Sequence, residues 1–302
     1  MKVLITGGTG LLGWWLAKVF HDKGFEVHTT YHSKQPSGLE DIVWHRMVLE
    51  DNQSVSRVMN KVKPRIIVHS AAYTDVDGCE LDRAKAYRVN YLGTKMLVSM
   101  SKDVDFFVYI STDYVFDGER GMYREDDVPN PVNYYGLTKF LGEIAVENVL
   151  EGKSCIVRVS GLYGYSPTGK KNFGIIALEK LLRNEQVMAF YDQRLSPTYV
   201  RFLAQAITKI VEKRMTGILH VAGERVSRYE FALRLTEILG VSKNLVKPVS
   251  MNEVKLVARR PRDSSLDTSK ARNIGIELPS LNECLRDFIA TYRKLANYSE
   301  GV

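Results

Sequence analysis

The chain has 302 residues, 45% hydrophobic and 25% charged, an ordinary globular composition with room for one large or two modest domains and without the run of about 18 apolar residues that marks a membrane span. Its three cysteines and six histidines show no metal-ligand spacing, so a reducing compartment, the cytoplasm, and no metal site are expected. The net charge of +7 comes from 42 Lys and Arg scattered among 35 Asp and Glu, and its short clusters suit an anionic small molecule, so neither nucleic acid nor membrane is expected as a partner.

Residues 3–6 read as an apolar strand that starts at once, so no signal peptide is expected. The strand runs into Gly7-x-x-Gly10-x-x-Gly13, and an apolar helical pattern follows over residues 14–20. Between a strand and a helix this spacing is the dinucleotide fingerprint. Gly7 permits the tight turn, Gly10 lets the backbone approach a pyrophosphate, and Gly13 lets helix pack on strand. The N–H groups around Thr9, Leu11 and Leu12 face the phosphates at the positive end of the helix.

The second strand, residues 25–30, ends in Tyr31-His32-Ser33-Lys34 without the acid that would bind a free ribose 2′-hydroxyl. Hydroxyls and a lysine suit a 2′-phosphate, so NADP is expected, with NAD as the alternative. A third strand is predicted over 42–48, a helix over 53–62 and a fourth strand over 65–70, continuous and apolar as a strand buried on both faces should be. His69, near its end, reads as structural. Ala71 and Ala72 are small enough for a flat ligand, and Tyr73 extends the same wall. A long helix over 82–102 carries Asn90, assigned to the cofactor side. A fifth strand at 106–111, a helix at 133–150 and a sixth strand at 154–160 complete an α/β alternation that predicts a doubly wound parallel sheet, an NAD(P)-binding Rossmann fold. Gly7, Ala71, Ser111 and Gly161 lie at strand carboxyl ends and should converge on one crevice.

Further helices are predicted over 173–183, 200–213, 228–239 and 281–295, with a strand over 217–222. They form a smaller substrate-binding lobe. The expected division is 1–163 for the cofactor and 164–302 for the substrate, with about 199–222 returning to the first part.

The helix over 133–150 holds Tyr135-x-x-x-Lys139. Residues four apart share a helix face, so the ammonium should lower the phenol pKa and tune the tyrosine as a proton donor to a carbonyl, with a hydroxyl of Ser111 or Thr112 holding the same oxygen.

The glycine turn with Tyr135-x-x-x-Lys139 resembles the extended short-chain dehydrogenase/reductases. Within them the chain is similar to the dTDP-4-dehydrorhamnose reductase family. The likeness is carried by AAYTDVD from Ala71, VNYLGT from Val89, STDYVFDG from Ser111, PVNYYGLTKFLGE from Pro131, DQRLSPT from Asp192 and RRPRDSSLD from Arg259. It implies NAD(P)H-dependent reduction of the C4 keto group of a nucleotide-linked 4-keto-6-deoxy sugar, the step that forms dTDP-L-rhamnose. It implies Thr112 as the catalytic hydroxyl, Tyr135 as proton donor and Lys139 as its partner, which also binds the nicotinamide ribose. Asp75, Asp77, Asp113 and Tyr114 are the candidates for sugar hydroxyls; Asn172 and Arg260, with Lys170 and Lys171, are those for the diphosphate. A homodimer is an expected assembly. The chain departs from the family pattern in Arg158-Val-Ser-Gly161-Leu-Tyr163, where glycine replaces a tryptophan, and at Leu195-Ser196, where a glycine is usual. The first departure implies a wider pocket. The rival readings are an epimerase or dehydratase that returns its hydride, and a regulatory subunit such as that of methionine adenosyltransferase.

Overall fold

The computed structural model describes residues 1–33 and 39–299. In chain order, β1 (Lys2–Thr6) leads to α1 (Leu11–Asp22), β2 (Glu26–Tyr31), β3 (Val43–Arg46), α2 (Asn52–Val62) and β4 (Ile66–His69). Short helices α3 (Val76–Leu81) and α4 (Arg83–Ala86), a π-helical turn (Tyr87–Leu92) and α5 (Gly93–Ser99) precede β5 (Phe106–Thr112), α6 (Tyr134–Leu150) and β6 (Ser154–Val159). Then come β7 (Leu162–Tyr163), α7 (Phe173–Leu182), β8 (Val187–Phe190), β9 (Arg194–Leu195), β10 (Thr198–Tyr199), α8 (Val200–Glu212) and β11 (Gly217–His220). The chain closes with β12 (Val226–Ser227), α9 (Arg228–Leu239), β13 (Val246–Val249), α10 (Ser269–Asn273) and α11 (Leu281–Ser299).

Seven strands form one sheet in the order β11-β6-β5-β4-β1-β2-β3, and every neighbouring pair is parallel. This is the doubly wound α/β sheet that the alternation of elements predicts. All seven residues of β5 are buried, because helices cover both faces of the sheet. Trp14, Phe20, Leu203 and Ile207 of α1 and α8 pack on one face. Val55, Leu97 and Val146 of α2, α5 and α6 pack on the other. Full burial of such a side chain contributes about 1.5–3 kcal/mol. A second core gathers Tyr163, Leu178, Phe231, Leu235, Leu285 and Phe288 from the later part of the chain. Residues 200–220, α8 and β11, lie with the sheet rather than with this second core.

Two predicted elements differ from the structure. The helix predicted over 82–102 runs without interruption from Arg83 to Ser99, capped by Asp82, but widens into a π turn around Asn90, and a separate short helix capped by Asp75 precedes it. The third strand stops at Arg46 rather than residue 48: the Val48 N–H donates to Ser54 Oγ at 3.0 Å, turning the chain into α2. The short pairs β7–β10, β9–β12 and β8–β13 have no counterpart among the predicted strands. Among the described residues, no helix is long and apolar enough to cross a membrane.

Candidate active site

Gly7 ends β1 with φ 77°, and its N–H donates to Thr30 Oγ1 at 3.0 Å. A Cβ there would stand 2.8 Å from Ala71 Cα, so only glycine lets the turn lie against the end of β4. Ala71 is held in that contact by its N–H, which donates to Thr6 Oγ1 at 3.1 Å. His69 supports Thr6 and Thr94 through its two ring nitrogens, at 2.7 and 2.9 Å. Burial, with Lys139 nearby, lowers its pKa to about 3; it is structural, as read. Gly13 packs as predicted, since a Cβ there would meet the Gly7 carbonyl at 2.0 Å. Helix α1 starts after Gly10 with no side-chain cap and no acid in its first turn. Its first N–H groups, from Leu11 and Leu12 beside Thr9, are left for an anion. An uncapped helix start beneath a glycine cradle fits a dinucleotide pyrophosphate.

Tyr31 closes β2 and pairs in register with Arg46 at the end of β3. His32 and Ser33 follow, both exposed, and Lys34 lies outside the described residues. The Arg46 Nε–H donates to the His32 carbonyl at 3.3 Å, which puts a cation beside the turn that reads the ribose 2′ position. Sequence reasoning passed over Arg46; its signal was a basic residue at the end of the strand next to β2. Asn90, expected at the cofactor, instead serves the protein. Its Oδ1 accepts from the Tyr73 N–H at 2.7 Å, and its Nδ2 donates to the Tyr73 carbonyl at 3.0 Å and to Thr138 Oγ1 at 3.1 Å. It therefore ties the wall of Ala71, Ala72 and Tyr73 to α6.

Across this wall stand Thr112, Tyr135 and Lys139. Asn133 caps α6, its Oδ1 accepting from the Gly136 N–H at 2.9 Å. Gly136 weakens a helix in isolation, but a Cβ on it would fall 2.0 Å from the Tyr114 carbonyl oxygen; the bare Cα lets α6 start directly against the end of β5. The Thr112 hydroxyl stands close enough to the Tyr135 phenol to act on it. Lys139, one turn on, is buried, its Nζ 4.0 Å from the Tyr109 ring centroid. The expected lowering of the tyrosine pKa does not occur. Burial raises it well above the ordinary value, and burial lowers that of Lys139 to about 7 against the raising effect of Glu143. Desolvation disfavours both charged forms. Ser111 faces away, its hydroxyl donating to Glu143, which Arg158 grips at 2.7 Å.

Two of the carboxylates assigned to sugar hydroxyls are occupied within the protein. Asp113 is buried and accepts from Ser160 at 2.7 Å, Ser264 at 2.5 Å and Thr112 at 3.2 Å; it holds three segments together behind Thr112. Asp77 binds the Ala258 N–H and Arg260, both at 2.9 Å, so two proposed substrate contacts pair with each other. Asp75 is exposed and caps α3. Asn172 caps α7 and donates to the Gly164 carbonyl at 2.8 Å. Lys170 and Lys171 are exposed, and Lys171 pairs with Glu179.

Tyr114 does face the site. Its ring stands edge-on to that of Tyr135, centroids 6.1 Å apart, and the side chains of Gln193 and Arg228, themselves hydrogen-bonded at 2.8 Å, lie close enough to its hydroxyl to act on it electrostatically. Neither partner was found from sequence, since each arrives from a distant segment. Beyond Arg260 a cavity of about 620 Å³ opens, lined by Asp117, Lys255, Arg259, Arg260 and Arg262 among others. The wider pocket expected at Gly161 is absent, because Leu195 fills it. A Cβ on Gly161 would lie 2.3 Å from Leu195 Cδ1. The two departures from the family pattern touch each other.

Comparison with known proteins agrees with this geometry. The probable low-salt glycan biosynthesis reductase of Haloferax volcanii is 31% identical over 99% of this chain and 100% of its own length. Methionine adenosyltransferase 2 subunit beta of Bos taurus is 32% identical over 91% of this chain and 83% of its own. Among solved structures, the hypothetical dTDP-4-dehydrorhamnose reductase of Sulfolobus tokodaii superposes with a TM-score of 0.82 at 40% identity, covering 93% of this chain and 98% of that one. The dTDP-4-dehydrorhamnose reductase of Bacillus anthracis in complex with NADP gives 0.84 at 33%, covering 96% and 100%. The model of the RmlD substrate binding domain family matches residues 1–294, and the chain belongs to that family.

Proposed function

We propose that this chain is an NAD(P)H-dependent reductase of a nucleotide-diphosphate 4-keto-6-deoxy sugar, with dTDP-4-dehydrorhamnose, giving dTDP-L-rhamnose, as the first substrate to test. The observation that carries this reading is the Tyr135 phenol beside the Thr112 hydroxyl, with buried Lys139 one turn away, at the same end of the sheet as the Gly7 cradle. The division of labour follows: residues 1–163 with 199–222 hold the cofactor, and the rest of 164–302 shapes the sugar side.

A bound NADPH would supply the hydride for the carbonyl carbon. The protein does the rest. Tyr135 stays protonated in its dry pocket and gives its proton to the carbonyl oxygen. The Thr112 hydroxyl turns from Asp113 to donate a hydrogen bond to the same oxygen as charge develops there. Lys139 holds the ribose and receives the proton deficit left on the tyrosine. Arg46, beside His32, takes the 2′-phosphate and favours NADPH over NADH.

The test is oxidation of NADPH by a panel of dTDP- and UDP-linked keto-sugars. Tyr135→Phe should lower kcat about 10²–10⁴-fold and Thr112→Ala about 10²–10³-fold, with NADPH binding retained in both. Arg46→Ala should weaken NADPH and leave NADH unchanged. Near-full activity of Tyr135→Phe on a proven substrate would remove Tyr135 from the acid role. The 32% identity to methionine adenosyltransferase 2 subunit beta supports a second reading, a regulatory subunit. Tight co-purification with a partner enzyme, together with no turnover of any keto-sugar, would favour it.

A further inference from the structure

At the carboxyl ends of β5, β6 and β11 the sheet register sets Ser111 beside Arg158 and Arg158 beside His220. All three are buried, in a sheet covered on both faces, where apolar side chains are expected. Helix α6 lowers a fourth buried polar residue onto this row. Glu143 lies one turn beyond Lys139 and two beyond Tyr135, on the same side of the helix. Its Oε1 accepts from the Ser111 hydroxyl and from Arg158 Nε at 3.0 Å, and its Oε2 accepts from Arg158 Nη2 at 2.7 Å. Such a two-pronged pairing fixes direction as well as distance.

The row continues past the arginine. Arg158 Nη1 lies 3.4 Å from His220 Nε2, and His220 Nδ1 lies 3.0 Å from the Tyr123 carbonyl oxygen. Burial and the Arg158 charge lower the His220 pKa to about 3, so the ring is neutral, donating from Nδ1 and accepting at Nε2. The Arg158 guanidinium carbon also lies 5.1 Å from the Phe116 ring centroid, and that ring stacks on Tyr123 at 4.3 Å. The segment that carries Tyr114 is thereby held at both ends, by Ser111 where it leaves β5 and by Tyr123 where it returns.

A buried ion pair is a poor device for stability alone, since its desolvation is costly and apolar side chains of similar volume often serve the fold as well. What this one supplies is alignment between two elements. Strand β5 delivers Thr112, the residue after Ser111, and α6 delivers Tyr135 and Lys139. The Thr112 and Tyr135 hydroxyls have to meet at one carbonyl oxygen, and a misplacement of about 1 Å can cost about 10²-fold in rate.

We propose that Glu143 is a positioning residue: through Ser111 and Arg158 it locks the end of β5 against α6 and so sets Thr112 opposite Tyr135. The carbonyl oxygen between them rests on the reductase reading; the lock itself stands on the bonds of Ser111, Glu143 and Arg158. Of the two neighbouring hydroxyls, Ser111 anchors the strand and Thr112 faces the substrate.

The test uses two variants of the full-length protein. Ser111→Ala cuts the link to β5 and leaves the ion pair whole. Glu143→Gln keeps the shape of the side chain but strips Arg158 of its counter-charge; should it not fold, Ser111→Ala decides. On a proven keto-sugar, each folded variant should lower kcat about 10–100-fold with KM and NADP⁺ affinity unchanged. In a Thr112→Ala background, Ser111→Ala should cost little more, because the lock acts through Thr112. The same fold-loss in both backgrounds would make the lock merely structural and overturn the proposal, as would wild-type kcat in Ser111→Ala. Hydrogen exchange supplies a readout without turnover: the amides of residues 111–116 should exchange faster in the variants than in the wild type. If the wild type reduces no keto-sugar, the reductase reading falls and exchange alone judges the lock. Faster exchange at 111–116 then sustains it, and unchanged exchange overturns it.

Discussion

Lys139 and Tyr135 are both pushed toward neutrality, and the cause is tertiary. The spacing of four residues that puts them on one face of α6 is local and legible in the sequence. The dryness around them comes from β5, α3 and the loop after Thr112, whose arrival no local pattern announces. The same limit explains Asp113 and Asp77, whose residue types suit sugar hydroxyls but whose oxygens are taken by Ser160, Ser264 and Arg260. The Lys139 shift has a measurable consequence. Its folded pKa of about 7 lies below the unfolded value of about 10.4. Between those two values the unfolded chain binds the extra proton, so stability of the cofactor-free protein should rise with pH, by up to about 1.4 kcal/mol per pH unit. Below pH 7 both states carry the proton and this slope vanishes. Denaturant titrations across pH 7–10 should show the slope in the wild type and its loss in Lys139→Met. An identical slope in both proteins would mean that Lys139 is not the group responsible.

At the scale of elements, strands and long helices were readable wherever apolar runs or helical spacing were sustained, as in β5 and α6. The two-residue strands were not, because their pairing depends on partners tens of residues away. Strand β9 shows what that conceals. Gly161 has φ 50° and Leu195 packs over it, so backbone and side chain are fitted to each other. Gly161→Ala should lose about 1–3 kcal/mol for the left-handed backbone and more for the contact with Leu195. Leu195→Ala alone should lose about 2–5 kcal/mol by opening a hollow. Since the smaller side chain makes room for the new methyl, the double variant should lose less than the sum of the two. Strict additivity in denaturant unfolding would show that Leu195 moves aside freely and does not define this wall.

Over the whole molecule, the two hydrophobic cores meet within a single peptide bond. Tyr199 is buried in the second core and Val200 in the first. The Tyr199 hydroxyl donates to Asp287 Oδ2 at 2.9 Å, and Arg201 pairs with the same carboxylate at 2.7 Å. We therefore expect calorimetry to show one cooperative transition that NADPH shifts as a unit. Two transitions, with NADPH raising only one, would mean that the cores unfold separately. The late strand β11 carries a further consequence, for how the protein is made. It pairs with β6, covering Cys155, Ile156 and Val157, yet residues 217–220 leave the ribosome some 60 residues after β6 does. At about 5–20 residues per second, the nascent chain spends several seconds with β6 as an open, apolar edge. Such an edge is a template for pairing with another chain, so a ribosome that pauses between residues 163 and 217 releases its product to aggregation or to a chaperone.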